Sequence, residues 1–186
     1  RFPHHENERA QAVALGRRFA RHWMHNGFVV DAEGEKMSKS IGNVANLLDL
    51  IDQYDPRTYR MLLLQVHYRS PVRVGLDNIE AAQKSLAGID AMVQRTAALH
   101  GAPPDAAVLD RFRASMDDDL DTPAAMSVLF DAVRRANAAL DAGDSTSAAS
   151  LRAAVLSMCA ATGIAPRTAG GDGAATGDRE DVFNSH

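Results

Sequence analysis

Ile79, Ala82, Leu86, Ile89 and Val93 recur at alternating intervals of three and four residues, the period of a helix with one buried face, and this run constrains the fold more than any other feature. Gly101 to Pro104 interrupts the pattern, and it resumes three times. One helix is expected around Val108 to Met116. Another is expected from a Thr122 cap and Pro123 through Met126, Leu129, Phe130, Val133 and Leu140, and a last one around Ala148 to Ala161. The 33 alanines among 186 residues favour helix in the same way. The expected fold class is therefore mainly α.

The first part of the chain is more mixed. A helix is expected to start near Pro3, a residue suited to a first helical turn, and to run to about Trp23, with Arg17, Arg18, Arg21 and His22 near its end. Phe28 to Val30 reads as a short strand and Asp31 to Gly34 as its turn. Lys36 to Asn43 shows neither period and is expected to be an exposed loop. Leu47, Leu48, Leu50, Ile51 and Tyr54 form a short amphipathic stretch. Asp55-Pro56 then caps and opens a helix carrying Tyr59, Leu62, Leu63 and Val66, and residues 69–75 break the pattern again. From Pro166 to His186 the composition is Gly-, Ala- and Asp-rich, as expected of a disordered tail.

No apolar run approaches the roughly 20 residues that span a bilayer, and the start of the chain has no signal-peptide core, so a cytoplasmic location without a membrane partner is expected. Cys159 is the single cysteine, which excludes an internal disulfide and a cysteine-built zinc site completed within this chain. It is expected to be a buried small hydrophobe. The net charge of −4 argues against a protein that coats nucleic acid indiscriminately. Residues 1–100 nonetheless hold 13 Lys or Arg against 11 Asp or Glu, and residues 101–186 hold 7 against 13, so a polyanion is expected to meet the first part.

Seventeen of the cations are arginine, and two of the three lysines, Lys36 and Lys39, share one pentapeptide. Lys36-Met37-Ser38-Lys39-Ser40 places two compact charges three residues apart on a loop, suited to closing over a triphosphate and neutralising charge as pyrophosphate leaves. Near the start, His4 and Glu8 lie four apart, on one face of a helix, as two ligands of a tetrahedral zinc would.

The pentapeptide resembles the signature loop of class I aminoacyl-tRNA synthetases. Phe2-Pro3-His4-His5-Glu6-Asn7-Glu8, Trp23-Met24-His25-Asn26-Gly27, Glu35 to Asn43 and His67-Tyr68-Arg69-Ser70, in this order, resemble cysteinyl-tRNA synthetases, and Asp117-Asp118-Asp119-Leu120-Asp121-Thr122-Pro123-Ala124 extends the likeness into their helical domain. The resemblance covers residues 1 to about 164. It implies ATP-dependent activation of cysteine to the adenylate and transfer to the 3′ end of its tRNA, with magnesium accompanying ATP. The ATP loop would be Lys36, Met37, Ser38, Lys39 and Ser40, in which Lys39 contacts ATP and Lys36 supplies a second phosphate-facing charge. His4 and Glu8 would be zinc ligands, the other two being cysteines that this sequence lacks. Arg9, Arg17, Arg60, Arg69 and Arg73 are candidates for the tRNA backbone.

The organisation implied is a partial Rossmann-type nucleotide-binding remnant with the Lys loop over 1–45, a helical linker resembling a stem-contact region over 46–76, an antiparallel helical bundle over 77–165 and the tail over 166–186, in a monomer. No His-x-Gly-His spacing of the kind class I enzymes use to hold ATP occurs among the seven histidines, so a fragment unable to perform the whole reaction alone is expected. Two other readings remain: the related cysteine ligase of mycothiol synthesis, and a non-catalytic tRNA-binding module.

Overall fold

Capping side chains mark where three of the helices begin. Asp105, Asp121 and Asp144 each accept a backbone N–H three residues ahead, from Val108, Ala124 and Ser147, at 3.0–3.1 Å. The helices they open are three of six found among residues 3–30, 34 and 54–168, which a computed structural model describes. In chain order the elements are α1 (His4–Ala14), β1 (Val29–Val30), α2 (Arg57–Leu64), β2 (Val72–Arg73), α3 (Leu76–Arg95), α4 (Ala106–Asp117), α5 (Thr122–Asp141) and α6 (Ser145–Thr162). The protein is mainly helical, as its periodicity predicts.

The core belongs to α2 through α6. Ile79, Ala82, Leu86, Ile89 and Val93, together with Met92, form the buried face of α3, so the three-and-four repeat reports this element faithfully. Helix α5 packs along α6 and against α3 and α4, while α2 rests on α3. Fully buried Ala125, Ala132, Ala136, Ala148 and Ala154 keep the side chains of α5 and α6 small enough for close backbone approach. Helix α6 stops at Gly163, whose φ of +67° suits glycine. There the Ile164 N–H reaches back to the Cys159 carbonyl at 2.9 Å and the Ile164 side chain is buried.

Several expectations are corrected. Helix α1 ends at Ala14 rather than near Trp23, because Gly16 turns left-handed at φ +67° and the Arg17 N–H bonds back to the Ala12 carbonyl at 3.0 Å, closing the helix. Arg17, Arg18, Arg21 and His22 therefore follow the helix instead of ending it. The first cap of α5 is Asp121 and not Thr122, which is the first helical residue. On α2 the buried positions are Thr58, Met61 and Leu62, and Leu63 points outward. A tripled leucine presents three directions of the helix, and only packing against α3 selects one.

Residues 69–75, expected as a plain break, contain β2. It pairs in parallel with β1 in the register Val29 with Val72 and Val30 with Arg73. The Val72 N–H donates to the Phe28 carbonyl at 2.8 Å and the Val74 N–H to that of Val30 at 2.9 Å. Gly27 is required at the head of this pair, since a Cβ there would lie 2.0 Å from the Ser70 carbonyl oxygen. A two-residue strand leaves almost no alternating pattern to read, and its partner is some forty positions away. The expected loop at Lys36 to Asn43, the amphipathic stretch from Leu47, most of the 31–34 turn and the tail beyond residue 168 lie outside the described residues.

Candidate functional site

Helix α1 carries the first candidate pair. The 3.6-residue turn brings His4 Nε2 to 3.0 Å from Glu8 Oε1, with both side chains solvent-facing. Two ligands of a tetrahedral zinc with bonds near 2.0 Å are separated by about 3.3 Å, so the pair fits two corners of such a site. An imidazole nitrogen and a carboxylate oxygen are also donors that zinc accepts. Among the described residues no group of three or more His, Cys, Asp or Glu converges, so the described residues bring together this pair of candidate donors without a third.

The segment after α1 folds back beside this pair. The His5 ring stacks on that of His25, with centroids 4.9 Å apart and planes 20° apart, and lies 5.3 Å from Trp23, which Phe19 flanks at 5.3 Å. His4 meets His5 edge-on at 5.5 Å. Residues from the first two motifs thus share one aromatic cluster, a juxtaposition that no periodicity in the sequence signals. Trp23, Met24 and Phe28 remain considerably exposed around it.

The Lys36, Met37, Ser38, Lys39 and Ser40 loop lies outside the described residues. What is described is its approach: β1 ends at Val30, and Gly34 has a φ of +87°.

A second constellation joins two motifs about fifty residues apart. Asp119, in the turn between α4 and α5, accepts hydrogen bonds from Tyr68 Oη at 2.7 Å, Arg69 Nε at 2.6 Å and Arg69 Nη2 at 2.9 Å, with His67 Nε2 at 3.9 Å. Tyr68 stacks on His67, and the Arg69 guanidinium sits 4.9 Å from the Tyr68 ring centre. Hydrogen bonds from Arg69 and then Tyr68 hold the Asp119 carboxyl well below the usual carboxylate range. The Asp117 to Asp121 run shows only a dense acidic turn in sequence; which of its carboxylates is used is decided by the turn's backbone.

The arginines are already employed in part. Arg69 is committed to Asp119, Arg73 to Asp77 at 2.6 Å, and Arg9 stands 4.0 Å from Glu6. The Arg60 guanidinium lies over Gly163. Cys159 is fully buried in the helical core, and burial pushes its thiol up to about 12, which suits a packing role rather than a ligand. No helix among the described residues is long and apolar enough to cross a membrane.

Residues 1–84 match the family model of the tRNA synthetases class I (C) catalytic domain, and residues 111–164 match that of the DALR domain. A protein of Clavibacter sepedonicus named Cysteine--tRNA ligase is 48% identical over 179 residues, covering 89% of this chain and 36% of that protein. One of the same name from Micrococcus luteus is 43% identical over 192 residues, covering the whole of this chain and 39% of its own length. A third, from Trichlorobacter lovleyi, is 40% identical over 185 residues, with 88% and 38% covered. The chain thus spans a little over a third of the length of the curated relatives it matches, and it belongs to the cysteinyl-tRNA synthetase family.

Proposed function

We propose that this chain forms part of a cysteine–tRNA ligase, which activates cysteine with ATP and transfers it to its tRNA. The observation that carries this reading is the 48% identity to a Cysteine--tRNA ligase across nine-tenths of the chain. In the first step the cysteine carboxylate attacks the α-phosphorus of ATP, forming the mixed anhydride and releasing pyrophosphate. In the second a hydroxyl of the terminal tRNA adenosine attacks the acyl carbon and AMP leaves.

Lys39 would contact ATP, with Lys36 a second charge toward the phosphates and Met37, Ser38 and Ser40 completing the loop. The two ammonium groups act where negative charge accumulates on the departing pyrophosphate. Magnesium would accompany ATP. His4 and Glu8 would hold zinc together with two thiolates from another part of the protein, and the metal, when bound, supplies a thiophilic contact for the substrate side chain. The 3.0 Å approach of the two side chains on an already formed helical turn orients both donors before any ion arrives.

The domain division follows the same reading. Residues 1–45 would be the end of a Rossmann-type nucleotide-binding domain, a view supported by the parallel β1–β2 pair with α2 in its crossover. Residues 46–76 would be a helical linker and 77–165 an antiparallel bundle, as the three-residue link between α5 and α6 supports. Residues 166–186 would be a tail. Of the arginines, Arg17 and Arg60 are the better candidates for the tRNA backbone, since Arg69 and Arg73 already face carboxylates. A monomer in the cytoplasm completes the proposal.

The test is cysteine-dependent exchange of pyrophosphate into ATP by the complete protein, followed by charging of tRNA. Both activities are expected. Exchange with transfer to an amino sugar instead of tRNA would favour the mycothiol-pathway ligase, and absence of exchange would favour a non-catalytic tRNA-binding module.

A further inference from the structure

The turn between α4 and α5 is unusual in its backbone. Asp119 and Leu120, neither of them glycine, adopt consecutive left-handed conformations with φ of +52° and +56°. A β-substituted residue there is disfavoured, and two in succession persist only where surrounding contacts hold them. The contacts that hold this turn run across the molecule. Asp119 grips Tyr68 and Arg69 through three short hydrogen bonds, and Thr122 Oγ1 stands 3.4 Å from the Val66 carbonyl oxygen.

What the turn grips is the frame of the parallel strand pair. The Tyr68 carbonyl accepts the Gly27 N–H at 2.7 Å, the next contact is Val72 N–H to Phe28, and the one after is Val74 N–H to Val30. A path of contacts therefore leads from Asp119 in the helical unit through Tyr68, whose hydroxyl meets the carboxylate and whose carbonyl accepts the Gly27 N–H, to the strand pair headed by β1, the strand that precedes the two lysines in sequence, with Arg69 bracing the same carboxylate. Helices α4 and α5 are anchored in the core, whereas α1 buries none of its residues and β1 is only two residues long. The better-buried partner in this contact is the helical unit.

We propose that Asp119 is a positioning residue for the activation step: through Tyr68 and Arg69 it sets the placement of β1 relative to the helical unit. This inference rests on the proposed function. Its prediction is that the helical unit contributes to adenylate formation without touching the substrates.

The experiment compares the complete protein with its D119N, R69Q and double variants. Asparagine tolerates the left-handed conformation, so D119N removes the charge and leaves the turn, and R69Q leaves the turn's sequence intact. Expected results are a fall in kcat for pyrophosphate exchange of about 10- to 100-fold, an unchanged KM for cysteine and a double variant no worse than the worse single one. The amides of Gly27, Val72 and Val74 should exchange faster with solvent, while those of α5 and α6 keep their protection. Additive effects, unaltered amide exchange at these three positions, or an unchanged kcat would each overturn the proposal. A parent protein without cysteine-dependent exchange overturns the functional reading itself, and the amide measurement then still decides whether Asp119 holds β1.

Discussion

Arg57 and Asp90 meet end to end across 33 residues of sequence: Nη1 donates to Oδ1 at 3.0 Å and Nη2 to Oδ2 at 2.9 Å, with both side chains 15% exposed. The same guanidinium bonds Asp55 and the Ala165 carbonyl, and a third hydrogen bond to Asp90 comes from the Arg167 N–H at 2.8 Å. One cation thus ties the start of α2, the middle of α3 and the segment after α6. R57M would leave Asp55 and Asp90 close together in a poorly solvated setting. A loss of about 3 kcal/mol is expected, lowering the melting temperature by roughly 6–12 °C in a calorimetric scan. A melting temperature equal to the parent's would show that the cluster is a surface arrangement of no consequence.

Lys39→Ala in the complete protein should lower the rate of pyrophosphate exchange by about 100- to 1,000-fold with little change in cysteine affinity, because in the proposed role its charge would act on phosphate oxygens as they become more negative. Steady-state exchange at varied cysteine separates the two effects. An unaltered rate would remove the loop from the mechanism.

As the proposed zinc ligands, His4 and Glu8 would supply only two of four donors and leave a tetrahedral ion half bound. Residues 1–186 alone should therefore carry well under one zinc per molecule after dialysis, and the complete protein about one, measured by elemental mass spectrometry. H4A or E8A in the complete protein should reduce that content. Stoichiometric, chelator-resistant zinc in the isolated chain would mean that a donor such as His5, Glu6 or Cys159 completes the site.

Cys159 should resist thiol reagents at pH 8 in the native protein and react fully in denaturant, since burial holds the thiol protonated. The unfolded chain releases this proton near 9 and the folded protein only near 12, so the native state binds more protons in between. Stability should be untouched below pH 9 and fall as the pH rises from 9 towards 12, a component absent from C159A. Denaturant titrations at stepped alkaline pH measure it.

Much of the helical architecture was legible because helix α3 and helices α4 to α6 bury faces whose spacing repeats every three or four residues within one segment. The limits appear where a single local conformation decides. Gly16 ends α1 nine residues before the apolar and basic pattern does, and the choice of Asp121 over Thr122 as a cap depends on which side chain reaches the Ala124 N–H. For the site, the His4–Glu8 relation follows from helical spacing alone. The stacking of His5 on His25 and the grip of Asp119 on Arg69 do not.

The mainly helical class, the buried stripe of α3, the inward place of Cys159 and the membership of the family are written in local spacing or in motifs read in order. Tertiary structure alone decided that β2 exists and pairs with β1, that Leu63 faces out while Met61 faces in, and which of the carboxylates in the Asp117 to Asp121 turn is used. The physical reason is common to all three. Helical periodicity is enforced by hydrogen bonds between near neighbours, whereas strand pairing, the choice of a buried face and the reach of a turn's side chain depend on groups tens of residues away, which the chain meets only after it has folded.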